Sequence, residues 1–160
     1  MIIKINDNYL RTLARKAKRP ILQCLHYNDN TITFSDSFLL LQVESKHTLS
    51  NTNISLLDYS VNNTPYPDLT QIMNKHYEPR HQEQIIHNDS VVYINKLQDD
   101  VFMIDSEILD SIKKVLSIKE LNINNFIFWG GALKYKPNDD ITIIHMMKRY
   151  IEWDRVIRKL

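Results

Sequence analysis

From Arg11 to Glu44 the sequence reads RTLARKAKRPILQCLHYNDNTITFSDSFLLLQVE, and this stretch constrains the fold more than any other. It is expected to be a short basic helix, a strand, a tight turn and a second strand. The helix must stop at Arg19-Pro20, because the residue before a proline is pushed out of the α region. Asn6 or Asp7 can cap its start by accepting a hydrogen bond from a free N–H of the first turn, and about Lys18 is its expected end. Leu10, Leu13, Ala14 and Ala17 recur at i, i+3, i+4 and i+7, which makes one buried stripe. Arg11, Arg15 and Lys18 form a second stripe at the same spacing, with Lys16 and Arg19 beside it. Beyond Pro20, Ile21–Tyr27 reads as a strand, and Asn28-Asp29-Asn30 as a turn, since Asn and Asp tolerate left-handed backbone angles. Thr31–Phe34 alternates. Phe38–Val43 is nearly continuous in apolar residues, as for a strand buried on both faces or bulged near Ser35-Asp36-Ser37.

The flanking chain continues this alternation of elements. Met1–Ile5 reads as a strand ahead of the helix. Residues 46–56 are polar and read as a loop or irregular edge, and Ile54–Val61 as one more strand. Asn62–Thr64 and Pro65-Tyr66-Pro67-Asp68 form a rigid extended turn, and Leu69, Ile72 and Met73 are spaced for one helical turn. His76–His87 has no period and reads as an exposed loop. Val91–Ile94 and Val101–Ile104 are expected strands. Asp105 or Ser106 then caps a second helix to about Ser117, with Ile108, Leu109, Ile112, Val115 and Leu116 on one face. Its Glu107 lies early and its Lys113 and Lys114 late, matching the helix dipole. Asn125–Trp129, Ala132–Lys136 and Ile141–Met147 read as strands, and Tyr150–Leu160 as a short closing helix. The expected class is α+β: two strand-helix-strand halves in which antiparallel sheets back two amphipathic helices. One domain spans residues 1–160, with a first half at 1–45, an elaborated region at 46–100 and a second half at 101–160.

A chain of 160 residues, 43% hydrophobic, holds enough apolar material for a core without disulfides. Cys24 is the single cysteine, so no internal bridge forms and a reducing cytoplasm is the expected setting. The first residues lack the apolar core and cleavage site of a signal peptide, and no run is long enough to span a membrane. Net charge is +1, but residues 1–49 carry +3, residues 50–105 carry −5 and residues 106–160 carry +3. Two basic segments around an acidic one point to different partners on different faces.

The basic helix is the strongest functional feature. Arg11, Arg15, Lys16, Lys18 and Arg19 stand without an acid nearby, and like charges one turn apart weaken a helix. Duplex phosphates explain such a row, because each contact releases condensed counterions; a solvated face is the plainer alternative. His76, His81 and His87 do not have the spacing of a helical zinc site, and no cysteine assists them. Asp99-Asp100 and Asp139-Asp140 are turn residues. Asp36, between two serines, lacks a nucleophile elbow or glycine-rich loop. No metal, cofactor or catalytic set is expected. Trp129, Tyr135, Tyr150 and Trp153, near Lys134, Lys136, Lys148 and Arg149, have the chemistry to stack on bases, but at strand spacing they fit core or interface positions better.

The order Arg19-Pro20-Ile21-Leu22, Asn28-Asp29-Asn30 and Ser35-Asp36-Ser37 resembles a domain of the bacterial sliding clamp, the beta subunit of DNA polymerase III. Tyr66-Pro67-Asp68 is similar to its Phe-Pro-Asp-like segment, and Met146-Met147-Lys148-Arg149 to its final strand. Clamp chains hold three such domains in a six-domain ring; this chain has the length of one, a form that bacteriophages encode, and its Asn-, Ile- and Lys-rich composition suits a virus of a low-GC host. The resemblance implies that Arg11, Arg15, Lys16, Lys18 and Arg19 face double-stranded DNA, with Lys113 and Lys114 on the second helix contributing less because Glu107 and Asp110 offset them. It also implies a homo-oligomer assembled edge to edge. Two functions follow: a non-catalytic accessory protein of DNA replication or recombination, or a binding module that modulates a host replication or defence protein through the acidic segment Asp58–Asp105.

Overall fold

The computed structural model describes residues 3–79, 84–87, 90–95 and 100–149, with the backbone alone for 84–87, 90–95, 100, 101 and 149. The first helix, α1, spans Asp7–Lys16, and its cap is Asn6, whose side chain accepts from the Tyr9 amide at 3.1 Å. Leu10 and Ala14 are its buried residues. It ends at Ala17, earlier than the expected Lys18, because the chain turns at once into a 3-10 turn over Pro20–Gln23. The Gln23 side-chain amide donates to the Ala17 carbonyl at 3.1 Å and satisfies a group that a longer helix would have paired internally. The expected strand at Ile21 therefore starts at Cys24. The Cys24 thiol is 1% exposed and contacts the Pro20 carbonyl at 3.6 Å.

An antiparallel meander follows: β1 (Cys24–Asn28), β2 (Thr31–Ser35) and β3 (Leu39–Glu44). Asp29 and Asn30 close the first hairpin at φ 22° and 62°, the left-handed angles that match strand twist. Asp36 shapes the second, its carboxylate accepting from the amides of Phe38 at 2.9 Å and Leu39 at 2.7 Å. Phe38 thereby sits in the turn, outside the strand it was expected to begin. The expected strand Ile54–Val61 is two strands, β4 (Thr52–Ser55) and β5 (Val61–Asn62). They are separated by a turn in which Asp58 accepts from the Ser60 amide at 3.0 Å. The single helical turn α2 (Thr70–Met73) stands where expected, with Asp68 accepting from the Thr70 amide at 3.0 Å.

Three strands, β6 (Gln84–His87), β7 (Ser90–Asn95) and β8 (Asp100–Ile104), precede the second long helix, α3 (Ser106–Leu116). Gln84–His87 thus overturns part of the expected exposed loop; its backbone pairs with β7, a partner that local polarity does not reveal. The Asp105 side chain caps α3 by accepting from the Ile108 amide at 2.9 Å, and Ser117 ends it in the left-handed region at φ 54°. A second meander follows: β9 (Ile127–Trp129), β10 (Ala132–Tyr135) and β11 (Ile141–Met146); β12 (Lys148–Arg149) then pairs with β8. Ile3–Ile5 form no strand. The expected helix at Tyr150–Leu160 lies outside the described residues.

The order in the large sheet is β5-β4-β1-β2-β3-β11-β10-β9, and in the small sheet β12-β8-β7-β6. Each long helix is followed by a three-strand meander, and the two meanders join at β3 and β11, antiparallel, with Ile143 opposite Leu41. These central strands are buried on both faces. Leu39, Leu41, Ile141 and Ile143 pack with the helix residues Leu10, Ala14, Ile112 and Val115. Leu40 and Ile144 pack on the other side with Tyr77 and Ala132, under Leu69, Ile72 and Met73. The result is a mixed fold of helices and antiparallel sheet, with α1 and α3 on one face and the 69–78 segment strapped over the other.

Candidate nucleic-acid interface

Helices α1 and α3 lie against each other on the inner face of the large sheet. The Asn6 amide donates to the Val115 carbonyl at 2.9 Å, and the Tyr9 hydroxyl donates to the Ser111 hydroxyl at 3.0 Å. With Leu10 and Ala14 turned to the core, the helical period leaves Arg11, Arg15 and Lys16 on the outer surface of α1. Arg15 and Lys16 are exposed. Arg11 is half-buried: it donates to the Asn8 side-chain Oδ1 at 2.8 Å and to the Tyr59 hydroxyl at 2.6 Å. Among the described residues no carboxylate forms an ion pair with Arg11, Arg15, Lys16, Lys18 or Arg19.

The expected set does not stay together. Lys18 and Arg19 lie beyond the end of α1, where the chain is extended before Pro20. They are exposed, but they flank the helix instead of continuing its stripe. Lys113 turns to Asp110 at 3.7 Å. Lys114 is exposed and places its ammonium 5.6 Å from the centre of the Tyr9 ring, so the α1 surface continues onto α3 through a cation–π contact.

Lys148 belongs to this surface and sequence reasoning missed its part. It pairs with Asp105 and, at 3.3 Å, with Glu107, offsetting the acids at the start of α3. The hydrogen bonds it donates to Asp105 and Glu107 raise its pKa against the effect of burial. Burial pushes the Asp105 carboxyl up, but the Lys148 hydrogen bond, the Ile108 amide and the Lys148 charge together hold it below the usual carboxylate value. Between α1, α3 and the end of β11 is a cavity of about 510 Å³, lined by Tyr9, Leu13, Lys16, Phe38, His145 and Met146 among others. Phe38 is 67% and Met146 43% exposed on its rim.

The other sequence candidates have structural partners. His26 donates from Nδ1 to Asn53 Oδ1 at 2.6 Å and stacks on Tyr66 at 4.6 Å. His145 is buried and donates from Nδ1 to the Met146 carbonyl at 2.8 Å. His76 is exposed, 3.9 Å from Glu78; His81 and Asp99 lie outside the described residues, as do Tyr150 and Trp153. Tyr135 packs edge-on against Phe126 in the core, while Trp129 is met by Lys75 at 5.1 Å and Tyr77 at 6.5 Å. Among the described residues no three His, Cys, Asp or Glu side chains are grouped to hold a metal ion, and no helix is long and apolar enough to cross a membrane.

No family model matches the chain, and no curated protein matches it. Among solved structures it is similar to DNA polymerase III subunit beta from Borrelia burgdorferi, determined in complex with a natural product. The two superpose with a TM-score of 0.54 at 10% sequence identity, over 92% of this chain and 63% of that one. The likeness is one of fold, to the clamp architecture, and the chain spans less than two thirds of the length of the protein it matches.

Proposed function

We propose that this protein is a non-catalytic, clamp-like accessory factor of DNA replication or recombination that holds the duplex backbone through the outer surface of α1 and α3. The observation that carries the reading is the set Arg11, Arg15 and Lys16 on the outer surface of α1, with no ion pair among the described residues and continued by Lys114 across Tyr9. Unpaired cations bind phosphates at any sequence, because phosphate contacts position a protein without reading bases. Lys18 and Arg19 add to it as a flanking extended arm, and Lys113, engaged by Asp110, adds least. The clamp-like fold supports the reading, since it sets the two helices side by side on one open face. The cytoplasm, a bacteriophage's host cell included, is the matching compartment.

Binding is expected to be weak and steeply salt-dependent. Four contacts, from Arg11, Arg15, Lys16 and Lys114, give a log–log salt slope of roughly −3.6. Size-exclusion chromatography with light scattering, with and without a short duplex at low and physiological salt, measures binding and oligomeric state together. Reversing both Arg11→Glu and Arg15→Glu is expected to abolish the complex while leaving the fold intact. Wild-type protein indifferent to duplex at low salt refutes the reading.

A second reading has its own observation. The apolar rim at Phe38 and Met146 favours a module that docks a host replication or defence protein at this cavity. Capture of such a partner, lost on Phe38→Ser, together with no duplex binding, would select it.

A further inference from the structure

Tyr59 stands in the turn between β4 and β5 at φ +61°, a region in which a bulky side chain is costly. The turn is held by its own bonds: the Tyr59 amide donates to the Ser55 carbonyl at 2.9 Å, and Asp58 accepts from the Ser60 amide at 3.0 Å and hydroxyl at 2.6 Å. Those bonds need a left-handed residue there, a role that Gly or Asn fills without strain. Nor does packing require an aromatic, since Tyr59 is 66% exposed. What its side chain does is meet Arg11. Its hydroxyl accepts from Arg11 Nη2 at 2.6 Å, and the guanidinium carbon lies 5.8 Å from the ring centre. Asn8 holds the other terminal nitrogen at 2.8 Å.

We infer that Tyr59 is a positioning residue for Arg11, and that the two form a preset claw for one phosphate of the bound strand. This rests on the duplex-binding reading above. A guanidinium carries five N–H donors; Asn8 and Tyr59 use two, which leaves three for phosphate oxygens. Because the Tyr59 hydroxyl accepts from Arg11, its own proton is available to the same phosphate. Holding the guanidinium at both terminal nitrogens removes rotamer freedom before binding, so less is lost when the phosphate arrives. Among the described residues no acid pairs with Arg11: Asp7, one turn earlier, forms no ion pair with it, and Asp58 is turned to Ser60.

The test compares wild type, Tyr59→Phe, Arg11→Gln and the double variant, using full chain and a short duplex at low salt. Tyr59→Phe keeps the ring and removes the hydroxyl. It is expected to weaken binding about fivefold, the worth of about one hydrogen bond, with the thermal midpoint unchanged and no further loss in the Arg11→Gln background. In the free protein, NMR of the Arg11 side chain is expected to show slowed guanidinium rotation that Tyr59→Phe releases. Unchanged affinity in Tyr59→Phe, or an equal loss with and without Arg11, overturns the claw, as does a lowered midpoint with affinity intact. If wild type does not bind duplex at all, the functional reading falls and the claw with it; if wild type binds and Tyr59→Phe binds equally, only the claw falls.

Discussion

Asp105 does two jobs at one corner of the molecule: one oxygen caps α3 through the Ile108 amide, and the other meets Lys148. Losing a cap costs about 1 kcal/mol, and the ion pair, half open to solvent at Lys148, adds less than about 1 kcal/mol. Asp105→Ala is therefore expected to lower stability by about 1–2 kcal/mol at neutral pH in urea unfolding. Because the folded carboxyl lies below its ordinary value of 3.8, this contribution is present above that pH and is lost as pH falls through the folded pKa. The variant and the wild type should converge in strong acid. His145 works at milder pH. Burial pushes its pKa below the ordinary 6.5, against the Met146 carbonyl and the charges of Asp36, Asp105 and Glu107. The unfolded chain takes up the proton first, so stability is expected to fall as pH drops below about 6.5. His145→Gln should flatten that part of the profile in pH-dependent thermal melts.

At the scale of elements, the edges of the large sheet are unequal. β9 is closed by its own chain: the Glu78 amide donates to the Phe128 carbonyl at 3.0 Å, and the Phe128 amide to the Glu78 carbonyl at 2.9 Å. Tyr77 anchors this strap, its hydroxyl donating to the Ile72 carbonyl at 3.0 Å and its ring lying under the Lys134 ammonium at 5.0 Å. An exposed strand edge is a template for pairing with another chain, so Tyr77→Ala is expected to free β9 and raise self-association. Light scattering across a concentration series reads this directly; a variant that stays in the wild-type state would show that the strap does not guard the edge. The strap also shows what the sequence concealed. The helical period of Leu10, Ala14, Ile108 and Ile112 and the turn at Asp29-Asn30 are local signals and were readable. The end of α1 depends on Gln23, the pairing of Gln84–His87 on β7, and the break between β4 and β5 on a turn hidden in an apolar run. Arg11 and Arg15 share a face by period alone, and Lys16 turns from that face toward α3. The reach of Tyr59 to Arg11 and of Lys148 to Asp105 spans sequence separations of 48 and 43 residues, and no local pattern carries it.

On the scale of the whole molecule, one sheet separates two layers, with the two long helices and their cations on one side and the strap, which carries Lys75 and is met by Lys134, on the other. The middle strands, β3 and β11, are covered by both layers, so the helix-bearing face and the strapped face share one core sheet. Cys24 opens β1, inside that sheet between β4 and β2. Its thiol is shut away beside Pro20, and burial followed by the nearby Asp58 charge raises its pKa. A thiol reagent can therefore reach it only when β1 opens, and as the single sulfhydryl in the chain it gives one unambiguous signal. The protein thus carries a built-in clock for its own opening, read without any introduced label. Duplex that binds only the closed form must slow that clock in proportion to its occupancy, and Arg11→Glu with Arg15→Glu should leave it ticking at the free rate whether DNA is present or not.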